Sequence, residues 1–120
     1  MLLKTEIVEN VLIVTLGELY SNDTISDIVK LDKSEKTHNV ESIIIDCTNL
    51  QGFDSMGPEL FLMKSKFKKN GEHRNFVFCG LNKDGEETFN YFAQGCGYES
   101  IINFSTLTEA LIFVKRSNSN

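Results

Sequence analysis

The stretch Ile43-Ile44-Ile45-Asp46-Cys47-Thr48-Asn49-Leu50-Gln51-Gly52-Phe53-Asp54-Ser55-Met56-Gly57-Pro58 decides the fold. Its start, Ile43 to Cys47, is a short, continuous, β-branched apolar run, which is what a strand covered on both faces needs. A loop follows from Thr48 to Asp54, and then Pro58 announces a helix. Proline has no N–H to offer, so it is accepted where a helical N–H lacks a partner anyway. Pro58 is therefore expected in the first turn, with the N-cap at Ser55, Met56 or Gly57 and with Leu60, Met63 and Phe67 on the buried face. This helix should stop near Asn70-Gly71.

Working outward, Val11 to Leu16 is apolar on both alternations and reads as a central strand. Lys4 to Val8 precedes it across Glu9-Asn10, a link that suits a hairpin because asparagine tolerates positive φ. Ser21-Asn22-Asp23-Thr24 supplies several N-cap candidates for a short helix carrying Ile25, Ile28 and Val29 up to about Lys36. Phe76 to Cys79 is the next strand. Asn82 then caps a helix that buries Phe89, Phe92 and Ala93 and ends at Gly95-Cys96-Gly97. Ile101 to Phe104 is the last strand, and Thr106-Leu107-Thr108-Glu109 has the form of a capping box before Leu107, Ala110, Leu111 and Val114. The order is ββαβαβαβα. It implies an α/β domain with a mixed, mostly parallel sheet of about five strands, about four helices and right-handed crossovers. Residues 1–117 form this single domain and 118–120 a polar tail.

Composition agrees with one compact domain: 120 residues, 41% hydrophobic and 24% charged, with a single proline. A net charge of -5 removes the positive footprint that non-specific binding to nucleic acid or an anionic membrane depends on. The basic cluster Lys64, Lys66, Lys68, Lys69, His73 and Arg74 has a simpler reading, as a solvated helix end complementing the macrodipole. No apolar run approaches the roughly 20 residues of a membrane helix, and Met1 to Glu6 lacks the features of a signal peptide, so a cytoplasmic protein is expected. Cys47, Cys79 and Cys96 are odd in number and widely spaced, which suits neither a disulfide framework nor a zinc site. No metal and no cofactor are expected. Phe61, Phe67, Phe76, Phe78, Phe89 and Phe92 fall on apolar faces and read as core.

Ser55 carries the chemistry of the chain. At a helix start its hydroxyl meets backbone N–H groups and the positive end of a dipole, so a phosphate there is accommodated without unfolding the domain. The plain alternative is that Ser55 or Asp54 is only an N-cap. An enzyme is not indicated: the segment is not a Gly-x-Ser-x-Gly elbow, neither His38 nor His73 stands in a motif with it, and Asp54 is too near in sequence to act readily as its base. Nucleotide-binding glycine fingerprints are absent.

At this point the chain resembles a STAS domain, the family that includes the bacterial anti-sigma factor antagonists. Leu16-Gly17-Glu18-Leu19 is similar to the family's turn after the second strand, and Ile43 to Leu50 to its central strand ending in Asp. Phe53-Asp54-Ser55-Met56-Gly57 is similar to its hallmark. Phe76 to Leu81 resembles the fourth strand, Gly95 to Tyr98 the end of the third helix, and Ser105 to Leu111 the entry to the last. The resemblance implies that Ser55 is phosphorylated by an anti-sigma factor serine kinase and released by a PP2C-type phosphatase. It implies further that the unphosphorylated form captures the anti-sigma factor and frees the sigma factor, with Asp54, Met56, Gly57, Tyr20 and Asn22 at the partner-binding face. The sequence departs from the family at Tyr20, where Asp is usual, and at Met56 and Pro58. Met56 is either a partner contact or packing beneath the loop, and Tyr20 either a docking residue or an ordinary half-buried ring. Constitutive use, as an accessory subunit of an ABC transporter or a small-ligand sensing module, needs no phosphorylation.

Overall fold

A computed structural model describes residues 3–55, 57–69, 72–73 and 75–118. Strands β1 (Lys4–Val8) and β2 (Val11–Thr15) form an antiparallel hairpin. Its turn residues Glu9 and Asn10 both have positive φ, 48° and 67°, which gives the turn the twist of the strands it joins. There follow β3 (Leu19–Tyr20), α1 (Asn22–Asp32), α2 (Glu35–His38), β4 (Ser42–Asp46), β5 (Gly52–Phe53) and α3 (Glu59–Lys66). The chain continues through β6 (Lys68–Lys69), β7 (Glu72–His73), β8 (Asn75–Cys79), α4 (Lys83–Gly95), β9 (Asn103–Phe104) and α5 (Leu107–Asn118). The main sheet has five strands in the order β1-β2-β4-β8-β9, parallel throughout except for the first hairpin.

Both alternations of the central strands are apolar because both sheet faces are covered. Leu12, Val14, Ile43, Ile45, Phe76 and Phe78 point into a core with Ile28 of α1, Leu60 and Phe61 of α3, and Phe89 of α4. Val11, Ile13, Ile44, Val77 and Cys79 point the other way, onto Ala110 and Val114 of α5. Each such aliphatic side chain contributes about 1.5–3 kcal/mol by leaving water, so a one-residue slip in register would reverse a large driving force.

The caps fall where the residues demand them. Asn82 Oδ1 accepts the Gly85 N–H at 2.8 Å at the start of α4, and Thr106 Oγ1 accepts the Glu109 N–H at 3.2 Å at the start of α5. At the end of α4, Gly97 (φ 91°) lets the Tyr98 N–H reach back to Ala93 O at 2.9 Å and its own N–H reach Gln94 O at 3.0 Å.

Several boundaries differ from expectation. The helix expected to run to about Lys36 ends at Asp32, and Glu35–His38 forms a separate turn whose Thr37 hydroxyl donates to Leu31 O at 2.7 Å. The last strand begins at Asn103, because the Ile101 N–H is taken by Asn90 Oδ1 at 2.7 Å. Helix α5 continues to Asn118, one residue into the expected tail. The basic cluster is not one helix end: α3 stops at Lys66, and Lys68–Lys69 pairs antiparallel with Glu72–His73, while Arg74 lies outside the described residues. Lys66 pairs with Asp32 at 2.9 Å, and Lys64 sits 4.3 Å from the centre of the Tyr98 ring.

Candidate functional site

The site lies at the carboxyl ends of the parallel strands, where this class of sheet opens onto its loops. The Asp46 carboxylate at the end of β4 accepts both the N–H (3.0 Å) and the hydroxyl (2.6 Å) of Thr48, turning the chain out of the sheet. Next to it, Gly80 at the end of β8 has φ 78°, and a side chain there would meet Thr48 N at 2.7 Å. Glycine is required on both counts, backbone angle and space.

The chain then runs back beside the segment after β2. Strands β3 and β5 pair in parallel, Leu19 with Gly52 and Tyr20 with Phe53. The carbonyl of Tyr20 accepts two further N–H groups, from Asp54 at 2.8 Å and from Ser55 at 3.2 Å. The Ser55 hydroxyl donates to Asn22 Oδ1 at 2.8 Å. Ser55 is thus held by main chain and side chain to one short segment, Tyr20 to Asn22. On the other side of that segment, the Thr24 hydroxyl accepts the Ser21 N–H and donates to Leu19 O, both at 3.2 Å, fixing the entry to α1.

Beneath the loop is an aromatic shelf. The Tyr20 side chain is entirely buried, its ring 6.0 Å from Phe53 and 6.1 Å from Phe89. Its hydroxyl donates to Glu59 Oε2 at 3.3 Å. Burial, with the Glu59 carboxylate beside it, pushes the phenol far above its ordinary pKa. A Cβ on Gly57 would run into the Glu59 carboxylate.

These positions revise the sequence reading in two ways. The N-cap of α3 is Pro58 itself, whose carbonyl accepts the first intrahelical bond from Leu62 N–H at 2.9 Å. A missing N–H costs as little at the cap as in the first turn, so proline fixed only a window of positions. Ser55 consequently precedes α3 by several residues, and the helix start to which it is bonded is that of α1, where Asn22 is the first residue. Tyr20, weighed as a docking residue, is a support from below, because a fully buried ring has no surface to offer. Asn22 and Asp54 are exposed, and Ser55 and Gly57 are partly so; Met56 lies outside the described residues. Sequence reading missed Glu59, and it named Thr24 only as one of several cap candidates, without the bonds it makes. A serine-to-threonine spacing of three at Ser21–Thr24 was a signal for the second; nothing local signalled that Glu59 meets Tyr20.

No protein-family model matches the chain, and no curated protein matches it by sequence. Solved structures do match. The anti-sigma factor antagonist SpoIIAA in its unphosphorylated form superposes with a TM-score of 0.73 at 14% identity, over 95% of this chain and 96% of that one. The Bacillus cell fate determinant SpoIIAA in its phosphorylated form gives 0.69 at 12% identity, over 93% and 98%. A sulfate transporter family protein from Wolinella succinogenes gives 0.71 at 17% identity, over 96% and 93%. The two-sided core, the mixed five-stranded sheet and these superpositions over nearly the full length agree: the chain has the STAS fold, the fold of the anti-sigma factor antagonist SpoIIAA.

Proposed function

We propose that this chain is a non-catalytic, cytoplasmic protein-binding regulator of the anti-sigma factor antagonist kind, with phosphorylation of Ser55 as its switch. The observation that carries the reading is the Ser55–Asn22 hydrogen bond on the loop surface. A carboxamide oxygen accepts a hydrogen bond but takes no proton, so it suits a serine that is modified by another protein better than one that attacks a substrate. Asn22, Asp54, Gly57 and Met56 surround Ser55 in sequence or space and form the docking face in this reading. Exposed Leu19 beside them supplies apolar area. Its partners are an anti-sigma factor with serine kinase activity and a PP2C-type phosphatase. Similarity to a protein solved in both unphosphorylated and phosphorylated forms supports the switch.

Similarity to a sulfate transporter family protein supports a second reading, a constitutive transporter-associated module. Affinity capture from the native cytoplasm followed by calorimetry separates the two. In the first reading Ser55→Asp remains folded and loses the captured partner, while Ser55→Ala binds constitutively. If both variants bind as wild type does and Ser55 carries no phosphate under any growth condition, the constitutive reading replaces the switch.

A further inference from the structure

The segments 18–24 and 50–60 meet at Ser55, and their charged side chains, Glu18, Asp23, Asp54 and Glu59, are all acidic. The ion pair that Lys66 makes on α1 is with Asp32, the last residue of that helix, about 15 Å from Asn22 at its start by the helical rise. Neither segment therefore brings a cation to a phosphate on Ser55. The side chain already touching Ser55 is neutral and two-faced: Asn22 now presents Oδ1 to the serine hydroxyl, and half a turn about its last torsion presents Nδ2–H instead.

We infer that Asn22 is the residue that allows both states of Ser55, accepting a hydrogen bond from the free hydroxyl and donating one to the phosphate after its carboxamide turns over. This rests on the reading of Ser55 as a modification site. The chemistry forces the turn. Phosphorylation replaces the hydroxyl hydrogen by a group whose dianion has only acceptors, so the present Oδ1 contact becomes acceptor against acceptor. Aspartate in this position keeps the first contact and cannot make the second. Alanine makes neither.

The test installs phosphoserine at position 55 by genetic encoding, so that no kinase is required, in wild type, Asn22→Asp and Asn22→Ala. The second ionisation of the phosphate, ordinarily near pH 6, is followed by phosphorus NMR. Donation by Asn22 favours the dianion, so the wild-type midpoint lies below that of Asn22→Ala, and Asn22→Asp lies highest, by about one pH unit over wild type. The side-chain NH2 signals of Asn22 shift on phosphorylation. Without phosphate, Asn22→Asp melts as wild type does, which shows that the variant is folded. Equal midpoints in wild type and Asn22→Ala, or unmoved Asn22 NH2 signals, overturn the inference. Absence of phosphate on Ser55 in cells would remove the functional reading and leave these measurements standing.

Discussion

Tyr20 Oη donates to Glu59 Oε2 at 3.3 Å, tying the end of β3 to the first residue of α3 across the base of the Ser55 loop. The bond crosses 39 residues of sequence, and the Ser55 loop ends where its second partner begins α3. Tyr20→Phe keeps the buried ring and removes only this bond, so it should cost about 1 kcal/mol in urea unfolding. Tyr20→Ala also removes the ring from Phe53 and Phe89 and should cost about 3–5 kcal/mol. Equal losses for the two variants would show that the hydroxyl, not the shelf, dominates.

Gly57 is constrained by space from the same carboxylate. A methyl group there displaces the end of Glu59, a flexible side chain, so Gly57→Ala should cost about 1 kcal/mol, the worth of the hydrogen bond it disturbs. In a Glu59→Ala background the obstacle is gone and the cost of Gly57→Ala should largely vanish. A double-mutant cycle reads this coupling, and strict additivity would refute it.

The three thiols should behave differently toward iodoacetamide. Cys47 and Cys79 are buried and face opposite sides of the sheet, one under α1, α3 and α4 and the other under α5, which keeps their side chains from pairing. Burial raises both, Cys47 well above the ordinary value and Cys79 to about 12, with the Asp46 carboxylate adding to each. Mass spectrometry of native protein at pH 8 should find alkylation confined to the partly exposed Cys96, with the other two modified only after unfolding.

Stability should fall on the alkaline side. Cys47, Cys79 and Tyr20 hold their protons more tightly folded than unfolded, so above the ordinary thiol value of 9.0 the unfolded chain binds fewer protons than the native one. The slope of stability with pH is then negative. The contribution is complete below about pH 8.5 and is lost progressively from pH 9 towards 12. The urea midpoint should be flat from pH 7 to 8.5 and decline by pH 10.5; Tyr20→Phe should flatten the part of the decline above pH 10. A midpoint that rises with alkalinity would contradict the assignment.

Much of the fold was written locally. Runs such as Val11–Leu16 and Ile43–Cys47 have apolar residues on both alternations, which a strand tolerates only between two covered faces, and that alone calls for helices on each side of a parallel sheet. Caps at Asn82 and Thr106, the hairpin at Glu9-Asn10 and the glycine stop after α4 depend on near neighbours, so one reading of the chain finds them.

The geometry at Ser55 was decided elsewhere. Pro58 limited where α3 could begin, but an absent N–H is equally harmless at the cap and just after it, so the start of the helix waited on the loop that precedes it. That loop is set by the Tyr20 carbonyl, by Asn22 and by the Tyr20–Glu59 bond, partners 33 to 39 residues apart. The sequence determined by itself that a buried strand would give way to a helix near Ser55, and it placed the serine at that helix's start. Only the tertiary structure decided that its hydroxyl would rest on the start of α1 and that Tyr20 would lie beneath it. Contacts across such separations follow from how helices and strands pack, and no periodicity along the chain records them.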